Sequence, residues 1–175
     1  MLEFFQKIID VLNKYNIPYM LSGSVAMSLY VVPRATRDFD FIVSLNLQHV
    51  DLFVDDFKNG FYCDKDSITD AIKHHGMFNI IDHASGFKAD FVILKSIPFR
   101  QHEFGRRVPM DFFGKEIYVV TAEDLLISKL IWIQDIQSAI QMEDISNLLV
   151  IETLDVDYVK DWVSRLELNT FNLLK

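Results

Sequence analysis

The sequence predicts an α+β fold: a mixed β-sheet flanked by helices and followed by a C-terminal helical tail. Over residues 1–120, segments rich in β-branched and aromatic residues alternate with segments whose apolar residues recur at helical spacing. From residue 121 onward only helical patterns occur. Because neither an internal repeat nor a low-complexity linker separates the two parts, we expect an α+β domain over 1–120 with the helical segment 121–175 packed on it.

The first elements predicted are a helix, a strand, a short helix and a second strand. Apolar residues at helical spacing over 2–15 predict an amphipathic helix that ends before Pro18. The apolar "YMLSG" predicts a strand, after which we expect Ser24 to cap a short helix, "VAMSLYV", that Pro33 terminates. The aromatic and β-branched residues of "DFDFIVSL" predict the second strand.

The middle of the chain alternates helices with strand pairs. Apolar spacing predicts a helix over 46–59 that Gly60 closes, and another over 67–75. The segments "MFNIID" and "KADFVILK", separated by "HASGF", have the pattern of two strands joined by a turn. The segment "FFGKEIYVV" is typical of a further hairpin.

The C-terminal tail is predicted to contain three helices. Thr121 is a suitable N-cap, because Asp124 follows it three residues later in a pattern close to a capping box. The apolar "LLISKLIWI" then predicts a buried helix. Two further helices are expected over about 142–151 and 155–166.

Composition limits the classes of function. The 17 lysines and arginines stand against 25 aspartates and glutamates, and a formal net charge of −8 disfavours broad, sequence-independent binding to a phosphate backbone. The single cysteine, Cys63, cannot form an intramolecular disulfide, which fits a reducing compartment. The N-terminus lacks a basic region ahead of an apolar core, and no apolar run approaches the roughly 18 residues of a membrane span. We therefore expect a cytoplasmic protein.

Two aspartates stand one residue apart in the predicted strand "DFDFIVSL". Side chains at i and i+2 of a strand share a face, so Asp38 and Asp40 should converge. Two like charges about 4 Å apart at an effective dielectric near 20 repel by roughly 4 kcal/mol, which favours a cation between them. Asp90, in "KADFVILK", would join them if the two strands lie side by side. Three carboxylates suit Mg²⁺, and two such ions can promote an in-line displacement at a triphosphate.

The residues Gly23 and Ser24 precede these acids. Gly23 allows the backbone to approach a ligand closely or to adopt a positive φ angle. Ser24, at the start of the predicted helix, offers a hydroxyl beside free backbone N–H groups, where a phosphate binds favourably. The order strand, Gly-Ser, helix, strand, Asp-x-Asp therefore predicts a phosphate site next to a metal site.

Gly23-Ser24, Asp38-Phe39-Asp40 and Asp90 together resemble the polymerase-β type nucleotidyltransferase superfamily. Three longer segments are similar to the AbiEii-like abortive-infection nucleotidyltransferases and their short bacterial relatives. They are "SGSVAMSLY…RATRDFDFIV", "VVTAEDLLISKLIWIQD" and "EDISNLL". The resemblance covers about residues 17–150.

This resemblance implies a nucleotidyltransferase-like sheet and a set of site residues. It implies that Gly23 and Ser24 bind a nucleoside triphosphate and that Asp38, Asp40 and Asp90 bind two Mg²⁺ ions. Lys129 in "SKL" and Asp144 in "MEDI" match recurrent residues of the tail helices. The resemblance implies that Lys129 contacts the nucleotide phosphates, with Asp144 nearby.

Each of these motifs also has a purely structural interpretation. An Asp-x-Asp pair can be the solvated face of an edge strand, and a Gly-Ser can be only a turn and a helix cap. Lys129 has apolar neighbours on its helix, so it either extends along its stem to solvent or binds phosphate. Asp144 can be a partner of the helix dipole. If the Lys129 ammonium is buried without a partner, Lys129→Met should leave the empty protein equally or more stable.

Arginines form two further groups with open roles. The segment "FRQHEFGRR" gathers Arg100, Arg106 and Arg107, which form either a solvated face or a contact for the acceptor or for a nucleic acid. Arg34 and Arg37 precede the acids and could reach a triphosphate or screen Asp38 and Asp40.

The sequence therefore predicts a Mg²⁺-dependent nucleotidyltransferase. It would transfer a nucleoside monophosphate from an NTP to a hydroxyl acceptor in tRNA or other RNA, in a protein or in a small molecule. A role in a toxin–antitoxin pair, with a cognate partner protein, fits the resemblance. The alternative is a non-catalytic module on the same fold that binds a nucleotide or a protein. Acceptor, base preference and oligomeric state are not encoded in any motif of the chain.

Overall fold

The computed structural model describes residues 1–33 and 35–174. Its helices are α1 (Leu2–Lys14), α2 (Gly23–Met27), α3 (Val50–Phe57), α4 (Lys65–His74), α5 (Pro98–Gly105), α6 (Ala122–Trp132), α7 (Ala139–Leu149) and α8 (Val156–Arg165), with a 3₁₀ turn at Leu47–His49. Its strands are β1 (Tyr19–Ser22), β2 (Asp38–Val43), β3 (Phe61–Cys63), β4 (Met77–Asp82), β5 (Lys88–Ile93), β6 (Val108–Phe112) and β7 (Lys115–Val119).

The seven strands form one mixed sheet in the order β3-β4-β5-β2-β1-β7-β6. The central strand β2 pairs antiparallel with β1 and parallel with β5. β4 and β5 form the predicted antiparallel pair, and so do β6 and β7. The predicted α+β class, with a mixed sheet and helices, is confirmed.

Aromatic side chains fill one face of the central strands. Phe41 on β2 stacks on Phe91 of β5, with ring centroids 5.4 Å apart. Phe5 of α1 covers Phe41 at 5.9 Å, and Phe53 of α3 meets Phe91 edge-on at 5.6 Å. All four rings are buried. Since strand side chains alternate, this packing leaves the acids of β2 and β5 on the opposite face, away from α1 and α3.

The C-terminal helices pack on one another and on α2. Thr121 caps α6 as predicted, because its hydroxyl accepts a hydrogen bond from the Asp124 backbone N–H at 3.2 Å. α6 packs against α7, α8 and α2. The Tyr30 hydroxyl, just after α2, donates to the Val120 carbonyl at 2.7 Å. The boundary near residue 120 between an α+β domain and a tail stays a prediction.

Three features differ from the sequence prediction. The N-cap residue of α2 is Ser22, not Ser24, and its side chain makes no capping bond. Gly23 is instead the first helical residue, in a left-handed conformation with φ of 63°. The segment 46–59 forms a 3₁₀ turn and then α3, with Asn46 capping the turn through a bond from the Gln48 N–H.

The elements β3 and α5 were not predicted. β3 has only three residues at the sheet edge, too few for an alternating pattern. α5 starts at Pro98, a residue that favours the first helical position, but few of its residues are apolar. Among the described residues, no helix has the length and apolar character needed to cross a membrane.

Candidate functional site

Three carboxylates lie on one face of two adjacent strands, and we call Asp38, Asp40 and Asp90 the carboxylate cluster. β2 and β5 run parallel, with Asp40 opposite Asp90 and Asp38 opposite Lys88. Residues that pair across a ladder project to the same side of the sheet. The condition under which Asp90 joins Asp38 and Asp40, that the two strands lie side by side, is therefore met, and Asp38 does not lie on an edge strand.

Lys88 is a fourth charged residue on this face. Its Nζ lies 2.7 Å from Asp90 Oδ2 and 4.0 Å from Asp38 Oδ2. The hydrogen bond to Asp90 is the main cause that raises the pKa of the Lys88 ammonium. Lys88 was not among the site residues predicted from the sequence. The signal for it is the i, i+2 spacing in "KAD", which places Lys88 and Asp90 on one face of a strand.

Gly23 lies in contact with the Asp40 carboxylate. A β-carbon built on Gly23 would be 1.9 Å from Asp40 Oδ2, far inside van der Waals contact. The preceding residue, Ser22, pairs with Asp40 across β1 and β2. The absence of a side chain at Gly23 therefore leaves room for the carboxylate, and Ser24 follows directly in the first turn of α2.

The cluster has an unfavourable charge balance. The pKa of Asp40 is raised, first by burial and then by repulsion from Asp90 and Asp38. The positive charges of Lys129 and Lys88 oppose this rise. The three carboxylates carry more negative charge than the Lys88 ammonium beside them can neutralise, so a further cation would stabilise the cluster.

One carboxylate oxygen of the cluster is buried and accepts no hydrogen bond from the described residues. Asp90 Oδ1 accepts no hydrogen bond from the described residues, although the Asp90 side chain is only 12% exposed. A buried carboxylate oxygen without a donor is costly, so a ligand is expected to satisfy it. The all-oxygen donor set fits Mg²⁺ in kind. Within residues 1–33 and 35–174, however, no three His, Cys, Asp or Glu side chains are arranged to hold a metal ion, and Asp90 faces Lys88 instead.

Lys129 is buried and paired, contrary to one sequence interpretation. It is 6% exposed, and its Nζ lies 2.7 Å from Asp144 Oδ2 and 3.2 Å from Gln141 Oε1. The interpretation that its ammonium extends to solvent is wrong. Asp144 is not near a helix start either, because it is the sixth residue of α7 and is buried. α6 packs on α2, whose Gly23 lies against Asp40, and the Lys129 charge opposes the rise in the pKa of Asp40.

The three arginines of the α5 region donate hydrogen bonds to other groups of the protein. Arg100 Nη1 donates to Glu103 at 2.9 Å and to Ser128 at 2.6 Å. Arg106 Nε donates to Asp124 at 3.0 Å. Arg107 Nη1 donates to a backbone carbonyl of α5 at 2.6 Å. Arg100 and Arg106 thus hold α5 against α6, which explains this group without an acceptor or a nucleic acid. Arg34 lies outside the described residues.

Comparison with known sequences found no protein-family model and no curated protein that matches the chain. Solved structures with a similar fold do match. The lincosamide antibiotic adenylyltransferase LnuA, bound to lincomycin, has a TM-score of 0.57 and 14% sequence identity, over 84% of this chain and 95% of that one.

Two further solved structures are similar. ANT(2″)-Ia in complex with adenylyl-2″-tobramycin has a TM-score of 0.60 and 10% identity, over 94% of this chain and 95% of that one. An antigenic nucleotidyltransferase-like protein from Paracoccidioides brasiliensis has a TM-score of 0.54 and 15% identity, over 91% of this chain and 87% of that one. The chain therefore has the fold of the nucleotidyltransferases, a seven-stranded mixed sheet flanked by helices.

Proposed function

We propose that the protein is a Mg²⁺-dependent nucleotidyltransferase, which transfers a nucleoside monophosphate from an NTP to a hydroxyl acceptor and releases pyrophosphate. The observation that carries this proposal is the pairing of Asp40 with Asp90 on a nucleotidyltransferase fold, with Gly23 against the Asp40 carboxylate. Shared fold supports the class of reaction, and the cluster supplies the chemistry.

In this proposal Asp38, Asp40 and Asp90 hold two Mg²⁺ ions. When bound, the metal ions neutralise the triphosphate and lower the barrier to in-line attack by the acceptor oxygen. Asp90 also takes the proton of the acceptor hydroxyl, because one of its oxygens is buried and accepts no hydrogen bond from the described residues. The excess of negative charge around Asp40 supports the need for these cations.

Gly23, Ser24 and Lys129 bind the triphosphate in this proposal. Ser24 lies in the first turn of α2 directly after Gly23, whose lack of a side chain keeps the approach to Asp40 open. Lys129 is buried on α6, and its charge acts on Asp40. An ammonium so placed can bind phosphate as a point charge, while Asp144 fixes its position at 2.7 Å.

For the acceptor we favour a hydroxyl of a small molecule. LnuA is described as a lincosamide adenylyltransferase with lincomycin bound, and ANT(2″)-Ia was solved with adenylyl-2″-tobramycin. The net charge of −8 and the internal pairing of Arg100 and Arg106 give less support to tRNA or another RNA. A protein acceptor, a toxin–antitoxin pairing and a cytoplasmic location rest on the sequence resemblance and composition alone.

The test is a transfer assay with four NTPs labelled at the α-phosphate. Each is incubated with Mg²⁺ and a cell extract fractionated into RNA, protein and small molecules. We expect a new labelled product in the small-molecule fraction, resolved by chromatography from the NTP and its hydrolysis products, and no such product with Asp90→Asn or in EDTA. Lys115→Met is the matched control, since Lys115 pairs with Asp10 on β7 and α1, outside the cluster. Transfer that persists in EDTA, or in Asp90→Asn, would contradict the proposed chemistry.

Calorimetry separates the enzyme from a binding module. The carboxylates repel a triphosphate unless metal accompanies it, so NTP should bind weakly in EDTA and at least about tenfold more tightly with Mg²⁺, a difference of about 1.4 kcal/mol. NTP binding of equal affinity in both conditions, with no transfer to any fraction, would instead indicate a non-catalytic nucleotide-binding module.

A further inference from the structure

Lys88 lies within the carboxylate cluster, and no motif of the chain assigns it a role. It is the first residue of β5 and stands opposite Asp38 in the parallel ladder. Its Nζ reaches two of the three carboxylates, at 2.7 Å from Asp90 and 4.0 Å from Asp38. The ammonium is therefore the cation that the structure places beside Asp90 and Asp38.

This ion pair differs from the exposed lysine pair formed by Lys65 and Asp51. Lys65 and Asp51, at 2.5 Å, have side chains 57% and 76% exposed, and such surface pairs contribute little. Asp90 is mostly buried, so its contact with Lys88 is shielded from water and correspondingly stronger. Lys88 itself is 34% exposed, which leaves its side chain an open route away from the cluster.

A divalent cation held by Asp90 would compete with the Lys88 ammonium. Lys88 already donates a hydrogen bond to Oδ2 of that carboxylate, and two cations on one carboxylate repel each other. We propose that Lys88 is a built-in counter-cation that neutralises the carboxylate cluster in the metal-free protein and is displaced when a divalent cation binds. This inference rests on the proposed function, since it takes these carboxylates as metal ligands.

Lys88 thereby sets the metal affinity of the site. A metal ion alone has to replace an ion pair that already exists, so the free protein binds it weakly. A metal ion that arrives with a triphosphate has further ligands and overcomes the competition. The lysine makes occupancy of the site depend on nucleotide, and it keeps the empty cluster from accumulating three uncompensated charges.

The first test titrates Mn²⁺, without nucleotide, into the full chain and measures bound metal by electron paramagnetic resonance. Lys88→Met removes the competing charge and should bind Mn²⁺ at least tenfold more tightly than the wild type. Lys88→Arg, which keeps the charge, should stay within threefold of the wild type. The control is Lys115→Met, which removes another strand lysine paired with an aspartate and should change nothing. Equal or weaker Mn²⁺ binding by Lys88→Met than by the wild type would overturn the inference.

A second test needs no variant, in case Lys88→Met folds poorly. Lysines of the wild type are acetylated at limiting reagent, with and without saturating Mn²⁺, and each site is quantified by mass spectrometry. Acetylation of Lys88 should rise at least threefold with Mn²⁺, because the released amine is more accessible, whereas Lys115 should not change. Unchanged or reduced acetylation of Lys88 would overturn the inference while leaving the metal site in place. Failure of the wild type and every variant to bind Mn²⁺, both alone and together with an NTP, would overturn both this inference and the proposed function.

Discussion

Two buried aspartates, Asp124 and Asp90, differ in how many hydrogen bonds their carboxylates accept. Asp124, at the start of α6, accepts hydrogen bonds from Arg106 at 3.0 Å, Thr121 at 2.8 Å and Tyr158 at 2.5 Å. Asp90, on β5, forms an ion pair with Lys88 and has one oxygen that receives no hydrogen bond from the described residues. The first carboxylate is fully compensated by its neighbours, and the second is not.

The difference separates structural charges from candidate functional ones. A buried charge that is fully hydrogen-bonded stabilises the packing of its elements, and Asp124 joins α6 to both α5 and α8. An under-compensated buried charge costs free energy, and proteins keep such groups mainly where a ligand completes them. Lys129 and Asp144 form a pair at 2.7 Å, so each charge is balanced in the empty protein, as that of Asp124 is, although Lys129 is also proposed to bind the triphosphate.

The largest expected loss of stability comes from breaking that balanced pair. Lys129→Met removes the ammonium that compensates the buried Asp144 carboxylate, and such a change typically costs about 3–5 kcal/mol. This corrects the sequence expectation that the variant would be as stable as the wild type, since that expectation assumed a buried ammonium with no partner. Urea unfolding in EDTA measures the change.

The control for this prediction removes both charges. The double variant Lys129→Met with Asp144→Leu should recover most of the lost stability, because apolar groups of similar volume replace the pair. A loss below about 1 kcal/mol for Lys129→Met alone would show that the pair is not balanced in solution.

A smaller loss is expected at Asp124. Asp124→Asn keeps the shape of the side chain but weakens its bonds from Arg106, Thr121 and Tyr158, and hydrogen bonds to a charged group contribute about 1.5–3 kcal/mol. We expect the free energy of unfolding to fall by about 2 kcal/mol. Mn²⁺ affinity and transfer activity should stay within twofold of the wild type. Unchanged stability with reduced Mn²⁺ affinity would place Asp124 in the site instead.

The sequence predicted the carboxylate cluster because its local patterns were strong. In "DFDF" and "KADF" the acids alternate with buried aromatic residues, so the face of each strand followed from the period of two. The contact between Gly23 and Asp40 could not be predicted in the same way. It depends on the register of β1 against β2, which places Ser22 opposite Asp40, and register is not visible in one strand alone.

The α5 region was the hardest to interpret from sequence. Its arginines resembled a basic patch because, apart from the local pair of Arg100 with Glu103, their side-chain partners are distant in the chain: Ser128 for Arg100, and Asp124 for Arg106. Glu103, fully buried in α5, also depends on these contacts, since Arg100 and Ser128 both donate to it. Long-range pairs of charges leave no local period, so composition alone suggested an exposed face.

The smallest expected change in stability is at Asp40, where the comparison predicts no loss at all. Asp40→Asn has the same shape, so it preserves the contact with Gly23 while removing one of three repelling charges. In EDTA at neutral pH the variant should be as stable as the wild type or more stable by up to about 1 kcal/mol.

The direction in which this stability difference changes with pH follows from the raised pKa of Asp40. The unfolded chain releases this proton first, so the folded wild type loses stability as the pH rises from about 3.8 through the raised value. The advantage of the variant should therefore shrink as the pH falls toward 3.8, while its Mn²⁺ binding and transfer activity are lost at every pH. Urea unfolding at several pH values measures this. A clear loss of stability in EDTA would mean that Asp40, like Asp124, is compensated within the fold.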